Sequence, residues 1–118
     1  MKALVISLIL FALAIVSIYV NAAFIHNTAH DLKSLALSVA NGESEATKDL
    51  NDYWDSKKHF VALTVGLREV DAVSEHIIKL CTSSTLDDPN AVFMNYVLLC
   101  DAIDDITRYE SISLSGIL

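Results

Sequence analysis

The stretch ALVISLILFALAIVSIYV, residues 3–20, contains no charged residue, and only Ser7 and Ser17 interrupt its apolar side chains. About 18 residues at about 1.5 Å each extend about 27 Å as a helix, which is just enough to cross the hydrocarbon layer of a bilayer. Residues 21–25 can lengthen the span. The segment is therefore predicted to enter a membrane.

Two interpretations of this segment compete. A cleaved signal peptide would use Lys2 as its basic end and Val20-Asn21-Ala22 as its cleavage site, but its apolar region usually has about 7–15 residues. A retained anchor fits the longer run better. We predict an N-terminal membrane anchor over residues 1–23 and a helical domain over residues 24–118.

The charged residues indicate on which side of the membrane that domain lies and which classes of partner it does not bind. Lys2 is the only basic residue before Lys33, so the positive-inside rule predicts a single-pass protein of the cell membrane with its C-terminal domain outside the cytoplasm. Of the 8 Lys and Arg residues, all but Lys2 belong to this domain, against 15 Asp and Glu residues. This excess of acid argues against nucleic acid and against electrostatic docking on anionic lipid.

The remaining pattern is helical. The chain has only 3 Gly and 1 Pro, and no long stretch alternates apolar and polar residues. We predict an all-α fold in which the transmembrane helix is followed by a small antiparallel helical hairpin or three-helix domain. The first helix should end near Asn41, before Gly42. Its core face combines residues at three- and four-residue steps: Ile25, Thr28, Leu32, Leu35 and Val39.

A second helix is predicted from about Ser44, with Glu45 in its first turn, to the loop TSSTLDDP, a length of nearly 40 residues. Its apolar stripe changes direction by more than a right angle, whereas heptad drift supplies only about 20° per heptad. The two halves should therefore pack against different neighbours. The first half contributes Leu50, Tyr53, Trp54, Phe60 and Val61, and the second half contributes Leu63, Leu67, Val70, Ile77 and Cys81.

The membrane restricts how these two helices combine. If both were straight and adjacent, the second would carry Arg68 and the acidic residues after it into lipid, at about 2.5–3.5 kcal/mol for each central charge. One helix must bend. We expect a kink between Asn21 and Asn27 rather than a break in the second helix between Thr64 and Gly66.

A third helix should begin with Asp87 or Asp88 as N-cap and Pro89 in first position, and end near Tyr109. Its predicted core stripe is Val92, Tyr96, Leu99, Cys100, Ile103 and Ile106. Its first half carries further apolar residues on the opposite side, which predicts either a second layer over this helix or contact with a partner, the favoured case: Met94, Val97 and Leu98. The apolar residues of the tail YESISLSGIL are expected to fold back as a clip rather than to fray as a terminus: Ile112, Leu114, Ile117 and Leu118.

The hairpin also predicts the state of the cysteines. Cys81 and Cys100 should lie about nine residues apart along the helix axis, on the order of 13 Å. This is beyond the reach of a disulfide. We expect two free, buried thiols.

The segment WDSKKHFVALTVGLREVDAVSEHIIKL and the terminal YESISLSGIL resemble the bacterial family called domain of unknown function 4363. The residues that match its motifs are Trp54, Glu69, Val70, Asp71, Ser113, Leu114 and Ile117. The chain departs from the family at Leu67, where a His is usual, and at Ser115-Gly116, where an Asn is usual. The family has no assigned activity, so the resemblance implies a short membrane-anchored helical protein and no reaction.

Three clusters of polar residues are candidates for metal binding or acid–base chemistry. The histidines (His26, His30 and His59) lie beside the apolar stripe rather than on one inner face, so a metal site is not predicted. The aspartates (Asp101, Asp104 and Asp105) lack the second motif and the cavity of a magnesium-dependent prenyl transferase, and are expected to form a solvated ridge. Glu69 and Asp71 are two apart on a helix and point in different directions.

No phosphate-binding loop, nucleophile turn or activated thiol is present in the sequence. We therefore expect no enzymatic activity, no cofactor and no metal. The favoured hypothesis is an interaction or adaptor protein, accessory to another envelope protein. The alternative is a small ligand- or metal-sensing helical domain, secreted if the N-terminal segment is cleaved.

Overall fold

The computed structural model describes the backbone of residues 1–117 and the side chains of residues 1–109. This part of the chain contains four α-helices and no strand, which confirms the all-α class. The helices are α1 (Lys2–Ala40), α2 (Ala46–Val65), α3 (Leu67–Thr85) and α4 (Pro89–Ile117).

Helix α1 combines an apolar, exposed first half with a second half that belongs to the core. It is long and apolar enough to cross a membrane. It runs without interruption through residues 21–27, where we predicted a kink. From Ile25 onward one face is buried, and the predicted residues Thr28, Leu32 and Val39 lie on it. The predicted anchor segment and the packed part of the chain therefore share one continuous helix.

The end of α1 follows the predicted signal. Gly42 has φ +75°, in the left-handed region that suits glycine. The backbone N–H of Gly42 donates to the carbonyl of Val39 at 3.0 Å, and that of Glu43 donates to Ser38 at 3.1 Å. These two bonds form a Schellman motif, which satisfies carbonyl groups at the helix end. Helix α2 then begins at Ala46, with Glu45 as its N-cap rather than in its first turn.

The prediction of one helix from Ser44 to the TSSTLDDP loop is wrong, because Gly66 separates α2 from α3. Gly66 has φ 97° and ψ 165°, and its N–H closes α2 on the carbonyl of Ala62 at 2.9 Å. Helix α3 folds back on α2, so that the indole N–H of Trp54 donates to the hydroxyl of Ser74 at 2.8 Å. The rotated apolar stripe thus belongs to two helices.

The break also changes which residues are buried. Phe60, Leu63 and Leu67 were expected on the apolar stripes, yet all three are exposed at the α2–α3 turn. Leu50, Trp54 and Val61 of α2 are buried as expected, and so are Val70, Ile77 and Cys81 of α3. Val73 and Leu80 of α3 are also buried, although they were not part of the predicted stripe.

Helix α4 starts as predicted and ends later. The backbone N–H of Ala91 donates to the carboxylate of Asp88 at 3.3 Å, so Asp88 is the N-cap and Pro89 occupies the first helical position. The helix continues past Tyr109 to Ile117, a stretch that has neither Pro nor Gly before Gly116 to stop it. The side chains of the proposed clip, Ile112, Leu114, Ile117 and Leu118, lie outside the described residues.

The core lies between the second half of α1 and the other three helices. Its largest fully buried side chains come from every helix: Ile25, Leu32, Leu50, Ile77, Leu80, Leu99 and Ile103. The principal extents of the chain are 67, 24 and 18 Å, because the first half of α1 projects beyond this packed region.

Candidate functional site

An apolar face on the outside of α4 is the first candidate for an interaction. Phe93 and Met94 are 69% and 65% exposed, and Val97 and Leu98 follow them at the next helical turn. On the opposite side of the same helix, Leu99 lies fully in the core. Residues four apart are neighbours on a helix surface, so these four side chains form one patch. We call it the α4 patch: Phe93, Met94, Val97 and Leu98.

The sequence singled out three of these residues, Met94, Val97 and Leu98, and their role as partner contacts stays a prediction. It missed Phe93, which extends the patch toward the start of α4. The four-residue spacing from Phe93 to Val97 was the signal that could have included it.

A second apolar surface lies at the α2–α3 turn, beside α1. We call it the α2–α3 tip, and its exposed members are Phe60, Leu63 and Leu67. The hydroxyl of Thr64 donates to the side-chain oxygen of Asn21 at 2.9 Å, which fixes the tip on α1. A groove runs between the tip and α1, lined by Val16, Val20, Asn21, Phe24, Phe60 and Leu63.

Aromatic contacts strengthen that junction. The rings of Phe24 and Phe60 meet edge to face, with centroids 6.2 Å apart. The ammonium group of Lys57 lies 5.7 Å from the centroids of both Phe24 and Tyr53. Both geometries are favourable for aromatic rings. Sequence reasoning missed this surface, although residues 60–67 form an uncharged run between Lys58 and Arg68.

Of the four described residues that carry the family resemblance, two pack in the core and two lie outside it. Trp54 and Val70 are buried in the core. Glu69 lies in the first turn of α3, where a carboxylate interacts favourably with the helix dipole. Asp71 is exposed and does not share a face with Glu69. The side chains of the remaining motif residues, Ser113, Leu114 and Ile117, lie outside the described part.

The aspartates of α4 form ion pairs. Lys33 of α1 donates to the carboxylate of Asp104, which ties α1 to α4. Arg108 contacts Asp105 at 3.1 Å, three residues away on the same helix. Asp101 is exposed at the end of the α4 patch. These contacts place the aspartates on the surface, in keeping with a solvated ridge.

The histidines do not converge. His26, His30 and His59 are all exposed. Among the described residues no group of three or more His, Cys, Asp or Glu side chains could hold a metal ion. Three grooves in the described part are open to solvent rather than enclosed, and the ligand-sensing alternative stays a prediction.

The cysteines are both free, as the hairpin spacing predicts, but only Cys81 is buried. Burial raises the pKa of the Cys81 thiol, and a hydrogen bond from Asn51 at 3.6 Å opposes this shift only in part. Cys100 is half-buried, so the expectation of two buried thiols is wrong for this residue. Its interaction with Tyr96 raises the pKa of that phenol.

Tyr53 links α2 to α1 through its hydroxyl, which donates to Asp31 at 2.8 Å. Burial raises the pKa of Tyr53 to about 12, and the hydrogen bond to Asp31 adds to the shift. Both effects favour the neutral phenol, because a phenolate beside Asp31 would lose the hydrogen bond and face a like charge. This pair is a structural tie between helices.

Comparisons with protein families, curated proteins and solved structures found no match for this chain. The resemblance to the family of domain of unknown function 4363 stays a prediction that rests on short motifs. Function is therefore inferred from the membrane-compatible helix and from the two apolar surfaces.

Proposed function

We propose that this chain is a single-pass, membrane-tethered interaction protein, whose antiparallel helical domain lies outside the cytoplasm and serves as an accessory to another envelope protein. The α4 patch is the observation that carries the proposal. It lies on the outside of the packed helices, in a chain whose first helix is long and apolar enough to enter a membrane.

The energetic argument concerns the apolar surface that the chain leaves in water. Full burial of one large apolar side chain contributes about 1.5–3 kcal/mol. Phe93 and Met94 are each about two-thirds exposed, so most of that contribution is unrealised in the isolated chain. Contiguous exposed apolar patches commonly mark protein interaction sites. A partner that covers the α4 patch would recover this free energy.

Charge at the border of the patch indicates the polarity of that partner. Asp101 lies one turn after Val97 and continues the same exposed stripe. A carboxylate at the rim of an apolar patch favours a partner with a Lys or Arg facing it, because complementary rim charges increase association rates and specificity. The proposed partner therefore presents an apolar surface with a basic residue at its edge.

Crosslinking in native membranes tests the proposal. A photo-reactive residue at Met94 should capture a specific membrane protein, whereas the same residue at Ile78 should not. Ile78 is a suitable control because it is also exposed, at 64%, but lies on α3 outside the patch. The double substitution Met94→Glu with Leu98→Glu should abolish the crosslinked product, and Ile78→Glu should leave it unchanged.

Circular dichroism of the double variant shows whether the crosslinked product is lost because a contact is lost or because the domain unfolds. Unchanged helicity and melting temperature, together with loss of the product, would support the α4 patch as a contact. Equal crosslinking from Met94 and Ile78 would contradict it. Capture of only a second copy of the chain would replace the accessory role with self-association.

The proposed orientation has its own test. Leu86 is exposed in the α3–α4 connection. A membrane-impermeant maleimide should label Leu86→Cys in intact cells, in a chain that carries Cys81→Ala and Cys100→Ala. Labelling only after the cells are opened would place the domain in the cytoplasm and refute the orientation.

A further inference from the structure

We infer that the α2–α3 tip is a second membrane contact, inserted into the interfacial layer of the same bilayer that holds α1. This inference rests on the proposed membrane span of α1 but not on the proposed partner at the α4 patch. The occupant of the tip is lipid: acyl chains against its apolar side chains, and phosphate groups near its basic border.

The position of the tip along α1 is the first support. Thr64 hydrogen bonds to Asn21, the first residue after the uncharged apolar run of residues 3–20. Gly66 lies two residues beyond Thr64, about 3 Å farther along at the helical rise. If α1 crosses the bilayer through that run, the tip is level with the place where α1 leaves the hydrocarbon layer.

The composition of the tip is the second support. Residues 60–67, FVALTVGL, carry no charge, so the turn itself brings no ionised group deeper than Thr64. Leu63 is 85% exposed, and Phe60 and Leu67 are exposed beside it. Phe60 contacts Phe24, but most of its surface and that of Leu63 and Leu67 stays exposed, so packing within residues 1–109 does not account for this apolar surface. Insertion into lipid would remove this apolar surface from water.

The border of the tip is the third support. Lys57 and Lys58 precede the uncharged run and Arg68 follows it. Long basic side chains next to an apolar surface can extend toward the headgroups while their stems stay in an apolar layer. Glu69 is the nearest acidic residue on the α3 side, and it is half-buried in the first turn of α3.

The opposite end of the packed helices has the reverse character. The connection between α1 and α2 contains Glu43 and Glu45, and the connection between α3 and α4 contains Asp87 and Asp88. Neither connection has a Lys or Arg. Four of the 15 acidic residues therefore lie at the end opposite the tip, where no Lys or Arg accompanies them, so the tip is the end of the domain that is better suited to approach a bilayer.

Fluorophore depth in nanodiscs tests the inference on the full chain. With Cys81→Ala and Cys100→Ala as background, single cysteines at Leu13→Cys, Leu63→Cys and Leu86→Cys would each carry an environment-sensitive dye. Leu86 is a matched control, since it is an exposed leucine (72%) in the other connection between helices. Leu63 makes few packing contacts to lose, so labelling should not disturb the fold.

The expected result is a shift to shorter wavelength and strong quenching by lipid-borne nitroxide at positions 13 and 63, with neither effect at 86. Quenching at position 13 alone would refute the membrane contact of the tip and would leave the proposed membrane span of α1 intact. Absence of quenching at both 13 and 63 would overturn the tether as well. The dye at position 63 could also be shielded from water without being quenched by lipid nitroxide. If that shielding required two chains per disc, the tip would contact a second copy of the chain, and this result too would overturn the inference.

Discussion

Replacement of Gly66 by alanine tests whether the chain breaks between α2 and α3. The substitution should lower stability if the break exists and raise it if one helix runs through this position. Gly66 has φ 97° and ψ 165°, a region that is essentially restricted to glycine. A Cβ there would meet only Glu69 Oε2, at an ordinary 3.7 Å, so the cost arises from the backbone alone. We expect Gly66→Ala to destabilise the chain by about 1–3 kcal/mol.

In an unbroken helix the same substitution would stabilise the chain by about 1 kcal/mol, because alanine is the better helix former. Thermal melts of the full chain in detergent, followed by circular dichroism at 222 nm, measure the difference. A domain of this size loses about 4–8 °C per kcal/mol. Gly42→Ala is the reference, since Gly42 has φ +75° with open space around it and should cost about 1–2 kcal/mol.

An unchanged or higher melting temperature for Gly66→Ala, with the expected fall for Gly42→Ala, would refute the break. A distance measurement provides an independent check. Spin labels at Ser44→Cys and Thr82→Cys, in a chain without native cysteines, should lie roughly 10–20 Å apart, given that packed helix axes are about 8–10 Å apart. An unbroken helix would separate them by about 57 Å.

Three further outcomes follow from burial. Ile77→Ala should lower the free energy of unfolding, measured by urea denaturation, by about 2–5 kcal/mol, because Ile77 is only 1% exposed. The neighbouring Ile78→Ala should change it by no more than about 0.5 kcal/mol, because Ile78 is 64% exposed. Similar losses for the two variants would contradict the register of α3. A maleimide should modify Cys100 before Cys81, since burial raises the pKa of the Cys81 thiol; faster reaction of Cys81 would contradict its burial. Tyr53 has a pKa raised from 10.0 to about 12, so its contribution to stability is complete below pH 10 and is lost as pH rises to 12. Wild type should therefore lose more stability than Tyr53→Phe over that interval, and parallel pH profiles would count against the raised pKa.

Two local signals at helix ends, Gly42 after α1 and Asp88-Pro89 before α4, were predicted correctly from the sequence. Gly42 and the Asp88-Pro89 pair act through their own backbone preferences, which do not depend on distant contacts. Gly66 is different, because one glycine inside a helix costs only about 1 kcal/mol and does not force a break. Packing of α3 against α2 and α4 decides the outcome there, and a single sequence contains no direct measure of that packing.

The change of direction in the apolar stripe did indicate the break between α2 and α3. We instead explained it by one helix whose two halves pack against different neighbours. Leu63 and Leu67 belong to neither core stripe, and without them the buried residues of α2 and α3 follow two separate helical periods. Surplus apolar surface at Met94, Val97 and Leu98 was predicted from the sequence, whereas the exposure of Phe93 and Leu63 was not. An apolar residue indicates burial, but the sequence does not say whether the chain itself or another surface buries it.

The lengths of the helices explain why the break falls at Gly66. Helix α1 has 20 residues from Asn21 to Ala40, beyond the apolar run of residues 3–20, and α2 also has 20 residues. Helix α2 therefore extends from the turn at Gly42 to the level of Asn21, which Thr64 contacts, and no farther. If α1 spans the membrane as proposed, a longer α2 would carry Arg68 and Glu69 toward the hydrocarbon layer, where each charge costs about 2.5–3.5 kcal/mol. The reversal at Gly66 would then keep both charges at the border, and only the uncharged residues of the turn would extend to the depth where α1 is still apolar.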